Sequence, residues 1–167
     1  RAIFLKVAGQ PYELVNPDNI SGLVISGTLS HNVSLEEMTS FCQNYQPLPM
    51  VSVALKLDGI PCVKADSLGG IRAATEHMLK VHGHRRIVFL RGPEGQQEAE
   101  ERYHAYRAAL KAHHIRLDPR LVLQGDYTSA SGAKIMAEFL RLGVAFEAIV
   151  SANDSMALGA IEVLKQH

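Results

Sequence analysis

Five polar residues each follow a short apolar run and precede a loop or a helix: Ser26, Asp66, Arg91, Asp126 and Asn153. If those runs are parallel strands, all five sit at strand carboxyl ends, where open α/β sheets bind ligands. Helix N-termini point at the same face and carry a partial positive charge. Hydroxyl, carboxylate, amide and guanidinium groups gathered there suit a small polar molecule rich in hydroxyls or ring nitrogens. Ser, Asp and Asn are also common helix caps, so a structural reading of each carries equal weight. Arg102 is the sharper candidate. It reads as lying two residues into a helix that starts at Glu100. A cation is disfavoured near a helix N-terminus, so its position asks for a reason. A planar guanidinium can grip hydroxyls or a carboxylate with paired donors. The competing reading is an ion pair with Glu98 or Glu101. If the role is recognition, stability without ligand should change little when Arg102 is lost.

Catalytic chemistry finds less support. Gly-x-Ser-x-Gly, the phosphate-binding loop and His-Glu-x-x-His are all missing. Gly69-Gly70 opens a helix but lacks the rest of a dinucleotide fingerprint. His77, His82 and His84 straddle a helix C-terminus, where imidazoles favour capping over metal ligation. His113-His114 reads the same way. Glu94, Glu98, Glu100 and Glu101 read as a solvated loop and helix start. Hydrolysis by paired carboxylates would need two of them facing one cleft. No catalytic residue, metal or cofactor is expected.

The positioning elements follow from periodicity. Short apolar strands are expected at Ala2–Leu5, Gly22–Ile25 (running into Ser26-Gly-Thr28), Met50–Ala54 and Cys62–Ala65, the last two flanking an Asp58-Gly59 turn. Ser34-Leu-Glu-Glu37 is a capping box, followed by a helix that Pro47 and Pro49 stop. Ile71, Ala74, Thr75, Met78, Leu79 and His82 keep helical spacing, and Gly83 suits a left-handed helix end. Strand Ile87–Leu90, helix Glu100–His113, strand Leu121–Gln124, helix Ser129–Leu142, strand Ala148–Ser151 and helix Asp154–Lys165 complete the alternation. Continuous apolar strands alternating with helices predict an α/β fold with parallel sheets covered on both faces. A lobe boundary falls near Asp66, giving lobes of residues 1–65 and 66–167.

Composition narrows the partners. Of 167 residues, 47% are hydrophobic, enough for a proper core. Lys+Arg and Asp+Glu both number 17, so no overall field draws this chain onto DNA or an anionic membrane. Cys42 and Cys62 lack metal-ligand spacing and read as buried free thiols. No apolar run is long enough for a membrane span. Residues 1–20 lack signal-peptide features, which makes a reducing cytoplasm the expected compartment.

A series of motifs then occurs in order: Ala74-Thr-Glu-His-Met-Leu79, Gly83-His-Arg-Arg-Ile87, Arg91-Gly-Pro93, Glu101-Arg102 followed by Tyr106, Ala109-Leu110, Asp118-Pro119, Gly125-Asp126-Tyr127, Ser131-Gly132 and Asn153-Asp-Ser-Met-Ala-Leu-Gly159. The series resembles the effector domain of lactose-repressor-like (LacI/GalR) regulators, densely over residues 61–167 and loosely over 14–60. The resemblance implies a periplasmic-binding-protein-like fold (type I) of two lobes closing on a ligand. It implies ligand contacts at Asp66, Arg102, Tyr127 and Asn153, with Asp154 capping or supporting them. It further implies a bacterial regulator, working as a homodimer, that senses a sugar or related polar metabolite. DNA would be bound only through a helix-turn-helix domain absent from this chain, which is expected to be truncated at both ends. A narrower likeness involves Tyr12-Glu-Leu-Val-Asn-Pro17, Ser26-Gly-Thr28, Ser40-Phe-Cys42, Pro47-Leu-Pro-Met-Val51 and Arg91-Gly-Pro-Glu94. Those segments resemble sensors coupled to histidine kinase or diguanylate cyclase modules. A solute-binding protein for transport is a third option, against which the missing signal peptide argues.

Overall fold

Strands β1 (Ala2–Leu5), β2 (Gly22–Ser26), β3 (Met50–Val53) and β4 (Cys62–Val63) pair in chain order, all parallel. They belong to the first of two compact units, Arg1–Ala65; the second is Asp66–His167. The computed structural model describes residues 2–5, 18, 20–26 and 34–167, with the backbone alone for 2–5 and 26. Tyr12–Pro17 and Gly27-Thr28 lie outside the described residues.

Helix α1 (Leu35–Asn44) starts at the expected capping box. Ser34 Oγ accepts from the Glu37 amide at 3.1 Å, and the Glu37 carboxylate accepts from the Ser34 amide at 2.7 Å. Its buried Met38 and Cys42 join Ile20, Leu23, Ile25, Leu48, Leu55 and Leu57 in the core of this unit. Burial pushes the Cys42 thiol above its ordinary range; Cys62 is half-buried, and both are free. Strands β3 and β4 are shorter than the expected Met50–Ala54 and Cys62–Ala65. Ala54 takes φ +63°, a left-handed conformation that ends β3. The Asp58-Gly59 turn closes only a Leu57–Ile60 bridge within the connection. The strands either side of it run parallel.

The second unit holds helix α2 (Ser67–Lys80), strand β5 (Ile87–Arg91), helix α3 (Gln97–Ala112), strand β6 (Val122–Gln124), helix α4 (Ser129–Arg141), strand β7 (Ala148–Ser151) and helix α5 (Asp154–Leu164). The parallel sheet has the order β6-β5-β7. Strand β5 is therefore central, which is why Ile87, Val88, Phe89 and Leu90 are apolar in a row and at most 1% exposed. Burying each of these large side chains contributes about 1.5–3 kcal/mol. The chain moves one way from β5 to β6 and the other way from β6 to β7. Right-handed crossovers then place α3 and α4 on opposite faces. Helices α2 and α3 pack together, as do α4 and α5. Tyr106 on α3 stacks on Phe89 with ring centres 4.7 Å apart, and its hydroxyl donates to the Ile87 carbonyl at 2.8 Å. Its burial pushes the phenol well above its usual range. Gly83, at φ +69°, follows the end of α2 in the expected left-handed conformation. Among the described residues no helix is long and apolar enough to cross a membrane.

Candidate ligand site at the strand ends

The connections leaving β5 and β6 run in opposite directions across the sheet, and the second unit gathers polar groups at the strand carboxyl ends, where open sheets of this kind bind ligands. Asp66 caps α2, accepting from the Gly69 amide at 2.8 Å, and is itself exposed. The next residue, Ser67, donates its hydroxyl to Glu98 Oε1 at 3.0 Å. Arg102 donates through Nη2 to that same Glu98 oxygen and, at 3.2 Å, to Ser67 Oγ. Its Nη1 reaches the Tyr127 hydroxyl at 3.5 Å, with the guanidinium 5.7 Å from the ring centre. One side chain, 18% exposed, thus ties together the start of α2, the first turns of α3 and the β6–α4 loop.

Two sequence expectations about Arg102 change. Helix α3 begins at Gln97, not Glu100, so Arg102 lies in its second turn and the dipole argument loses its force. Gln96 at the N-cap makes no side-chain cap bond, so no local signal marks the true start. The reading set against recognition, an ion pair with Glu98, is the one the contacts show, and Arg102 also touches Tyr127 and Ser67.

Arg91 ends β5 and is 13% exposed. Its guanidinium stacks 4.5 Å above the Tyr103 ring, pairs with Glu100 and has Glu94 at 3.8 Å. Arg91 Nε and Gln96 Oε1 are buried with no hydrogen-bond partner among the described residues.

Tyr127 holds φ +72°, which costs a non-glycine residue about 1 kcal/mol or more. Its carbonyl accepts from Asn153 Nδ2 at 2.8 Å, while Asn153 Oδ1 caps α5 by accepting from the Met156 amide at 3.0 Å. The Tyr127 ring covers Gly92, where any Cβ would overlap it. Burial pushes the Tyr127 phenol up, opposed by Arg102. Asp126 turns into its own loop: Thr128 donates to it from the hydroxyl at 2.7 Å and from the amide at 2.8 Å, holding its carboxyl below the ordinary range. Asp154 is the exposed first residue of α5, beside the capping Asn153.

The structure therefore brings Arg102 and Tyr127 into contact, ties Asn153 to Tyr127, and leaves Asp126 and Asp154 facing solvent. Ser26 ends β2 in the first unit, and its side chain lies outside the described residues. Ser67 and Glu98 were not singled out as site residues. The four-residue spacing from Glu98 to Arg102 carried the pair, but only the fold reveals Ser67. Elsewhere, His77 and His82 approach Nε2 to Nε2 at 3.1 Å, and the His84 ring stacks on His82. Among the described residues no group of three or more His, Cys, Asp or Glu could hold a metal ion.

The family described as periplasmic binding proteins and sugar binding domain of LacI family matches residues 6–167. The chain belongs to that family. Among LacI-type relatives, the HTH-type transcriptional regulator CelR of Thermobifida fusca is 39% identical over 103 residues, 62% of this chain and 30% of CelR. The HTH-type transcriptional repressor CytR of Escherichia coli (strain K12) is 30% identical over 155 residues, 92% of this chain and 44% of CytR. The solved transcriptional regulator CelR–cellobiose complex superposes with a TM-score of 0.72 at 32% identity, over 88% of this chain and 44% of that one. The chain thus spans under half the length of these LacI-type relatives. They are named as regulators of transcription, which favours neither the kinase- and cyclase-coupled reading nor the transport reading.

Proposed function

We propose that this chain is the effector-sensing part of a cytoplasmic LacI-type transcriptional regulator, and that its effector is a sugar or a related polar metabolite. The observation that carries the proposal is the Ser67–Glu98–Arg102–Tyr127 cluster, flanked by Asp66 and Asn153, at the strand ends of a LacI-family domain. Arg102 would donate to ligand oxygens, Asp66 would accept from hydroxyls, and Tyr127 would offer an apolar ring face. Asn153 has one amide hydrogen committed to Tyr127 and would hold that ring in place. The ligand is bound, not transformed. The Ser67 hydroxyl donates to a Glu98 oxygen that is already paired with Arg102, and that pairing lowers the basicity of the carboxylate.

Regulation follows from differential binding. A ligand that contacts one arrangement of the domain more strongly raises the population of that arrangement. An attached DNA-binding module, in a homodimer, would read that shift. The first probe is cellobiose, because 88% of this chain is similar to part of a CelR complex with it. Calorimetry and thermal unfolding with cellobiose, other neutral mono- and disaccharides, and nucleosides test the reading. Saturable binding that weakens in Arg102→Ala supports it. No saturable binding across the whole panel would sink it.

A further inference from the structure

We propose that Glu98 makes the strand-end face selective against anions, so that the effector carries no phosphate or carboxylate. This inference rests on the reading that the face binds the effector. Two cations stand there, Arg91 and Arg102, and both are already neutralised. Arg102 is paired with Glu98, and Arg91 with Glu100, with Glu94 at 3.8 Å. Helix N-termini would otherwise attract an anion. Three of them have a donor already taken: the Gly69 amide by Asp66, the Ser131 amide by Thr128 and the Met156 amide by Asn153. The Gly95 amide is taken by Glu100 at 3.2 Å. Exposed carboxylates of Asp66, Asp126 and Asp154 add like charge around the rim.

An anionic group entering this face would therefore meet carboxylates, and would gain Arg102 only by displacing Glu98. A neutral hydroxylated ligand meets no such penalty. Among the described residues Arg102 Nη1 has only the 3.5 Å contact with Tyr127, so it can donate to a hydroxyl oxygen while Nη2 stays paired. Ser67 Oγ and Arg102 Nη2 both use Oε1 of Glu98. Oε2 has neither of these partners and can accept from a ligand hydroxyl. Glu98 thus supplies an acceptor and cancels a charge with one group, which a neutral residue at this position could not do.

The test uses inorganic phosphate as the probe, with calorimetry on this chain, Glu98→Gln, and the double variant Glu98→Gln/Arg102→Ala. Glutamine keeps the size and removes the charge. The wild-type chain should show no phosphate binding up to about 10 mM, and Glu98→Gln should bind it at least about tenfold more tightly, as an unpaired guanidinium does. The double variant should lose that gain, which assigns it to Arg102. Should Glu98→Gln fail to fold, Glu98→Ala makes the same comparison at a helix position that is 32% exposed. Tight phosphate binding by the wild type, or no gain on removing the Glu98 charge, overturns the proposal. The outcome separates from that of the effector reading. A phosphate gain in a chain that binds no neutral sugar sinks only the sugar reading. Sugar binding without a phosphate gain sinks only the role given to Glu98.

Discussion

Replacing Arg102 separates recognition from packing, because the side chain does both. In Arg102→Ala the bonds to Glu98 and Ser67 and the contact with Tyr127 all disappear. A charge-assisted hydrogen bond contributes about 1.5–3 kcal/mol, but Glu98 is 32% exposed and water can re-solvate it, which lowers the net loss to about 1–2 kcal/mol. For a unit of this size that corresponds to a fall in Tm of roughly 5–10 °C. The expectation from sequence that stability would hardly change is therefore replaced. Sugar binding should weaken further, by about 2–3 kcal/mol, or about 30- to 150-fold in Kd. Arg102→Lys tells the two effects apart. An ammonium can still pair with Glu98, so unfolding without ligand should move back towards wild type. It cannot reproduce the planar fork, so sugar affinity should stay low. Thermal unfolding without ligand and calorimetry with a sugar that binds wild type give the two readouts. Wild-type affinity in Arg102→Lys, or no change of either quantity in Arg102→Ala, would refute the reasoning.

Further predictions concern the frame. In Gly159→Ala the new Cβ would press on the Ser129 carbonyl and the Ala133 amide, both backbone, so urea unfolding should show a loss of about 2–3 kcal/mol. Tyr106→Phe keeps the stack on Phe89 but leaves the buried Ile87 carbonyl without its donor, and should cost about 1–2 kcal/mol in the same assay. Acid should destabilise the fold. Glu76, bonded to Lys80 and Arg72, and Asp118, bonded to Arg120, are held at about 2, below the ordinary 4.5 and 3.8. Their contribution is present above those ordinary values and is lost as pH falls towards 2. Melting curves between pH 5 and 2 should show Tm falling over that window, and a flat Tm would count against these pairings.

Local features were legible in the sequence, and contacts across the fold were not. The Ser34–Glu37 capping box, the Asp66 and Asn153 caps and the apolar run of β5 each depend on a few adjacent residues. The start of α3 was missed because Gln96 offers no cap bond and the stretch from Gln96 to Glu101 has no apolar period. The strand ends that gather the candidate site could be read from alternation alone. Which side chains meet there could not. Ser67 reaches Glu98 across 31 residues, and Tyr127 reaches Arg102 across 25. Arg91 stands at the end of β5 as its position implied, but its stacking on Tyr103 and pairing with Glu100 were not legible in the sequence.

The contact between α4 and α5 bears on how a displacement of one loop would spread. Gly132 abuts the backbone of Met156, and Gly159 abuts the backbone of Ser129 and Ala133. Where main chain rests on main chain there are no rotamers to exchange, so the two helices cannot slide past each other by repacking side chains. Asn153 extends the coupling by joining the first turn of α5 to the carbonyl of Tyr127, just ahead of α4. A push on the Tyr127 loop is therefore not absorbed locally. It would be passed to α4 and α5 together, because their main chains are in contact.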